Sequence, residues 1–182
     1  MNETPEFPTG QQVDDFPNPD EVSTPPAIPL CIRITTGEVI FAEVVFEPDQ
    51  DFQRVFFPFI LHVVTPGNYT LRPWIPFNLT GNMCVIPSAT IGFISAMDGE
   101  FVQSFGRAKF GQQLSLLQIH VNENIHAGML DNQFIQECLL EIAMLAHEAE
   151  EQYRVEFDHE QLFDDFMEFV MNNITPEKDT KQ

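Results

Sequence analysis

Apolar and polar residues alternate with a period of two from residue 28 to about residue 97. Leu30, Ile32 and Ile34 fall on one side of such a strand, Gly37 supplies a turn, and the apolar positions resume after it. About five runs of this kind are separated by turns, and no helical segment lies between them. The pattern therefore predicts a small barrel of five antiparallel strands over 28–97.

The later strands of this region contain prolines. The run 52–64 includes Pro58, which predicts a bend or an edge position because proline cannot donate a backbone hydrogen bond. Further strands are predicted over 69–79 and over 84–94, the latter as one strand that continues through its own proline.

After residue 97 the apolar spacing changes to three or four. The positions 134, 138, 142, 145 and 149 predict an amphipathic helix, and a second apolar stripe begins at Leu162. These two segments predict an antiparallel helical pair over 129–175, with an acidic surface. The periodicity over 112–127 is poor, so 98–128 is predicted to be a short helix, capped by Asp98, and a linker.

Both ends of the chain have the composition of disordered segments. Residues 1–27 hold six prolines and six acids with no Lys or Arg, and they are predicted to be a disordered, Pro-rich acidic arm. Residues 176–182 are predicted to be a disordered tail.

The net charge narrows the choice of partners. The 182 residues include 28 acidic and eight basic side chains, a formal charge of -20. This charge repels phosphate backbones and anionic lipid surfaces, so we expect no membrane partner and no sequence-independent binding of nucleic acid. The three cysteines are widely spaced, and neither a signal peptide nor a long apolar run is recognisable, so we expect a cytoplasmic protein.

No pattern of catalytic residues stands out. The phosphate-binding, dinucleotide-binding, serine-hydrolase and zinc-protease motifs are all missing from the sequence. The histidines are scattered, and Cys84 has no histidine at a useful spacing to make it a nucleophile. We therefore predict no enzyme activity, no cofactor and no metal.

Four segments together carry a family resemblance. "LCIRITTGEVIFAEV", "LRPWIPFN", "VIPSATIGFI" and "DGEFVQSFGRAKFG", in this order over 29–111, resemble the Sm-like (LSm-type) small β-barrel proteins of tailed phages. The resemblance implies an Sm-like, SH3-like barrel of five bent antiparallel strands. Together with the acidic helical region that the periodicity predicts after it, the expected fold class is α+β. The resemblance also implies a location in the host-cell cytoplasm, with a place in the virion left open.

The resemblance further implies that edge strands pair between subunits, commonly into a ring. The fourth and fifth strands would form that interface, with the candidate residues Leu71, Trp74, Phe77, Val85 and Ile91. For RNA binding the candidates are Phe52 for base stacking and Arg54 and Arg72 for charge. The asparagine and the cation that RNA-binding members carry in two loops are missing here.

Three functional hypotheses remain open. The first is a non-enzymatic assembly module that self-associates, or that docks on a phage or host protein through its acidic helices. The second is an oligomeric RNA-binding protein, with RNA preferred over DNA. The third is an acidic mimic of nucleic acid that occupies a basic groove of a host protein. Clustered cations would favour RNA binding, and dispersed cations would favour a protein partner.

Overall fold

The computed structural model describes residues 27–47, 49–65, 68–74 and 82–174. It is an α+β fold, as predicted, in which six strands of one antiparallel sheet precede three helices. The strands are β1 (Ile28–Ile34), β2 (Val39–Val45), β3 (Phe52–Thr65), β4 (Asn68–Pro73), β5 (Met83–Pro87) and β6 (Ile91–Ala96). The helices are α1 (Gly99–Ala127), α2 (Asn132–Tyr153) and α3 (His159–Ile174).

The hairpin of β1 and β2 confirms the first prediction from the sequence. Gly37 adopts a φ of 97°, a conformation that side chains with a Cβ rarely tolerate. The Ile34 N–H donates to the Glu38 carbonyl at 3.0 Å, which closes the turn. β1 and β2 then pair from Arg33 opposite Val39 back to the start of β1.

β3 is the central strand of the sheet and changes partner halfway along its length. β2 pairs with one edge of β3, while β5 and β4 share the other edge in succession. At the change of partner, Phe57 and Pro58 together lie opposite the single residue Ala42, which is a β-bulge. Phe57 has a φ of 49° there, and its N–H donates to the Asn82 carbonyl at 2.6 Å. The bulge bends β3 at Pro58, inside a strand that is paired on both sides. Of the two alternatives predicted for Pro58, the bend is therefore found and the edge position is not.

The predicted strand 84–94 is divided into β5 and β6. A 3-10 turn, Ser88–Thr90, separates them and carries the chain from one end of the strand order to the other. In a flat sheet the four spacings between β5 and β6 would amount to about 19 Å. Three residues of 3-10 helix span only about 6 Å. The sheet is therefore strongly curled, although no described strand pairing joins β6 to β5 or β4 and closes it.

The two faces of the curled sheet are buried in different ways. The inner face packs on itself, and we call this cluster the inner core: Ile32, Ile34, Ile40, Ala42, Val44, Val55 and Ile86. The outer face packs against the helices, and we call that cluster the outer core. It includes Phe41 and Phe59 from the sheet and Phe105, Ile142 and Phe166 from the three helices. The helices are thus a layer on the sheet rather than a separate appendage.

The helical layer differs from the prediction mainly in α1. The expected short helix and linker over 98–128 is instead one helix of 29 residues, capped by the Asp98 carboxylate, which accepts from Phe101 N at 3.1 Å. α2 and α3 confirm the two predicted amphipathic segments, with Ile142 and Val170 fully buried. α1 and α2 run antiparallel, because Gly106 lies against Tyr153 and His120 lies against Phe134.

Candidate functional site

The sheet has two edges that no described strand covers. One is the outer edge of β6, and the other is the outer edge formed by β5 and β4. Unpaired edge strands present backbone N–H and C=O groups in a row and are natural sites for pairing with another chain. Each edge also carries an exposed apolar side chain, since Phe93 on β6 is 61% exposed and Val85 on β5 is 53% exposed.

A cleft of about 300 Å³ lies alongside β6. Residues 91–94 of β6 form one wall, and Phe46, Gln53 and Ser88 complete the lining. Phe46 follows β2 and is about half exposed, so the cleft has a phenylalanine on each side, Phe46 and Phe93.

Gln53 holds the wall of this cleft in place. Its side chain is almost fully buried; Nε2 donates to the Glu47 carbonyl at 2.8 Å and to Ser88 Oγ at 3.1 Å, and Oε1 accepts from Glu47 N at 2.9 Å. These bonds connect the β2–β3 loop to the turn between β5 and β6. The cleft therefore has a fixed shape next to an unpaired edge.

A buried polar cluster connects the sheet to the helices. Lys109 of α1 is 5% exposed, and its Nζ donates to Glu43 Oε1 at 2.8 Å, Glu148 Oε1 at 2.8 Å and Tyr153 Oη at 3.1 Å. The Tyr153 hydroxyl donates to the same Glu43 oxygen. The Lys109 ammonium also lies 4.9 Å from the ring centre of Phe57. Burial, and then the hydrogen bond to Glu43, raise the pKa of Tyr153 well above its usual range.

This cluster has the chemistry of a structural contact. Lys109 Nζ, Glu43 Oε1, Glu148 Oε1 and Tyr153 Oη are all engaged in hydrogen bonds with one another, and no polar atom of the cluster is among the described buried side-chain atoms that lack a partner. A buried charge of this kind is stable only when it is paired and hydrogen-bonded. The cluster therefore fixes how α1 and α2 sit on β2.

No protein-family model matches the chain, and no curated protein matches it.

Within the described ranges, no three His, Cys, Asp or Glu side chains are grouped as they would need to be to hold a metal ion. None of the described helices is long and apolar enough to cross a membrane.

The structure does not bring the three candidate RNA-binding residues together. Phe52 and Arg54 lie at the start of β3, and Arg72 pairs opposite Ile60, beyond the middle of that strand. Six residues of strand place the two arginines roughly 20 Å apart. Arg54 also forms an ion pair with Glu47, and Lys109 is buried among carboxylates, so neither of these two cations is available to a nucleic-acid backbone beside Arg72.

The candidate interface residues are also separated. Leu71 is buried in the outer core, while Trp74 and Ile91 are half-buried against the inner core. Phe77 lies outside the described residues, as do most of the predicted arm and the tail 176–182. Of the remaining candidates, Val85 alone presents an exposed apolar side chain on an edge.

Two residues of the β6 cleft, Phe46 and Phe93, were not among the sequence candidates. Their signal was the strand alternation: Phe93 lies between Gly92 and Ile94, so an inward Ile94 requires an outward Phe93. The Lys109 cluster was missed as well, because its members are far apart in sequence.

Proposed function

We propose that this chain is a non-enzymatic Sm-like assembly module. Copies of the small barrel associate through their sheet edges, and the acidic helical layer docks on a phage or host protein. The observation that carries the proposal is a curled open sheet with two edges that no described strand covers, each with an exposed apolar side chain, Val85 or Phe93. Edge pairing would satisfy the exposed backbone groups and bury both side chains.

The strand order supports a head-to-tail arrangement. The β5 edge and the β6 edge are different surfaces, so β5 of one copy pairs with β6 of the next. Such a heterologous contact leaves one edge open at each end until a ring closes. The cleft between Phe46 and Phe93 lies beside the β6 edge and accepts apolar side chains of the incoming β5 strand.

The distribution of charge favours a protein partner over RNA. A site for single-stranded RNA combines stacking side chains with several cations along one path. Here Lys109 and Arg54 are neutralised by carboxylates, and the net charge is -20. RNA binding remains the alternative that the same experiment addresses.

Native mass spectrometry of the full chain tests the proposal. We expect an oligomer of defined stoichiometry for the unmodified protein and a monomer for Val85→Lys or Phe93→Lys. Val63→Lys is the matched control, because Val63 is 62% exposed but lies on β3 opposite Tyr69 of β4, outside the two strands β5 and β6 that are proposed to pair. A monomeric unmodified protein would refute self-association, and a mass increase with a short uridine-rich RNA would favour the RNA-binding alternative.

A further inference from the structure

The outward side of α2 has an apolar centre that neither α1 nor α3 covers. Leu140 and Met144 are each 62% exposed and lie one helical turn apart. Cys138 and Ile142, on the opposite side, are buried in the outer core. Six residues fall within an arc of about 80° around the apolar pair, and we call them the α2 stripe. They are Gln133, Glu137, Leu140, Met144, His147 and Glu151.

Carboxylates lie on both sides of this apolar pair. Glu137 is one turn before Leu140 and accepts from Gln133 Nε2 at 2.9 Å. Glu151 is about two turns after Met144 and lies 3.4 Å from His147 Nε2. The apolar pair therefore has a carboxylate before it and a carboxylate after it along the helix.

The surrounding charge decides what can cover the stripe. Residues 131–174 contain twelve acids and a single Arg. A second copy of this face would bring like charges together, which opposes association. Residues 1–26 hold six acids and no Lys or Arg, so they are disfavoured for the same reason. The complementary surface is apolar in the middle and basic at its margins.

We propose that the α2 stripe binds a basic amphipathic helix of a partner protein. An exposed stripe along a helix packs against another helix, and the stripe from Gln133 to Glu151 is about 27 Å long, which matches a partner helix of about 18 residues. Methionine adapts its shape to an apolar partner, which suits Met144 to this contact. The inference rests on the proposed docking role of the helical layer and specifies its partner.

The test uses a fluorescent synthetic helix as the probe and the full-length protein. The probe carries a Leu and Met stripe flanked by Lys, and a second probe has Glu in place of each Lys. We expect saturable binding of the Lys probe that weakens with added salt, and no binding of the Glu probe, both measured by fluorescence anisotropy. Failure of the Lys probe to bind, or equal binding of the two probes, would overturn the proposal.

Neutral substitutions separate specific docking from general attraction to an acidic protein. Leu140→Ser with Met144→Ser leaves the charge unchanged and should weaken binding of the Lys probe by about tenfold, equivalent to about 1.4 kcal/mol. Val63→Ser removes an equally exposed side chain elsewhere and should leave the affinity unchanged. Equal affinity of the double variant and the control would mean that charge alone attracts the probe.

Two further variants make the failure of this inference distinguishable from failure of the proposed assembly. Glu137→Gln with Glu151→Gln should reduce the salt dependence of probe binding while the mass of the oligomer stays the same. Val85→Lys should change the mass and leave probe binding intact. If the Leu140 and Met144 double variant dissociates the oligomer instead, a second copy covers the stripe and the inference is wrong.

Discussion

Replacing Lys109 with methionine should unfold the protein at a much lower urea concentration. The substitution keeps most of the side-chain volume but removes the ammonium that bonds Glu43, Glu148 and Tyr153. Glu148 is about 40% exposed and can turn to water, whereas the Glu43 side chain is only 9% exposed. Glu43 would then be a buried carboxylate with one remaining partner, the Tyr153 hydroxyl.

The expected loss follows from the burial of that charge. Removing one partner of a buried ion pair costs about 3–5 kcal/mol of unfolding free energy. With a urea dependence of about 2 kcal/mol per molar, the unfolding midpoint should fall by roughly 1.5–2.5 M. Circular dichroism during urea titration at neutral pH measures this shift.

Two companion variants make the measurement decisive. Arg107→Met lies two residues away on the exposed side of α1, and it should change the free energy by less than about 0.5 kcal/mol. Combining Lys109→Met with Glu43→Leu removes both charges, so it should recover most of the lost stability. Exposed ion pairs contribute less than about 1 kcal/mol, so a loss of unfolding free energy below that value for Lys109→Met would refute the reasoning. Additive losses of the two substitutions in the double variant would refute it as well.

Two further predictions concern Tyr153. Its raised pKa means that the folded protein keeps the phenol proton when the unfolded chain has lost it, so stability is intact below a pH of about 10 and falls as the pH rises further. The variant Tyr69→Phe leaves Tyr153 as the sole tyrosine, so its absorbance reports on this phenol alone. As the pH is raised, tyrosinate absorbance should appear only together with the loss of the folded circular dichroism signal. Ionisation of Tyr153 while the protein is still folded would contradict this prediction. Gly106→Ala would place a Cβ 2.4 Å from Tyr153 Cβ and should cost at least about 1–3 kcal/mol. Gly111→Ala on the same helix meets nothing within 4 Å and should stabilise by up to about 1 kcal/mol in thermal unfolding, so equal effects would be inconsistent with the packing.

Local signals in the sequence were sufficient for the hairpin, for α2 and for α3. Gly37 and the alternating residues around it determine the first turn, and the Asp131 carboxylate caps α2 by accepting from Phe134 N at 2.8 Å. These features depend on residues a few positions apart, so they are readable without knowledge of the tertiary fold. The same holds for the strand alternation that marks Phe93 as outward.

The sequence did not predict the full length of α1, because the buried side of this helix is not made of apolar residues alone. Its inward positions include Gly106 and Lys109, each of which is buried for a tertiary reason. Gly106 provides room for the Tyr153 ring, and Lys109 pairs with Glu43 across the helix–sheet boundary. Neither contact is encoded near α1 in the sequence. A periodicity search therefore finds a broken pattern where the structure has a continuous helix.

The outer core was missed for a related reason. A small barrel on its own would expose the outward residues of β2, and Glu43 suits such a position. Phe41 and Val45 share that outward side and are buried. The near-continuous apolar run of β2 was the available signal, because strands buried on both faces read in this way. It indicated a covering layer, which the helices provide.

The covering layer also limits how copies of this chain can associate. The inner face of the sheet is filled by its own side chains, and the outer face is covered by helices that the Lys109 cluster holds in place. Stacking of one sheet on another would require the helical layer to leave, at the cost of exposing Phe41, Phe59 and a buried charge. Edge pairing requires no such rearrangement, because none of the described strands pairs with the outer edge of β5 or β6. Variants that weaken the cluster should therefore leave the proposed edge-mediated assembly intact under conditions in which the chain remains folded.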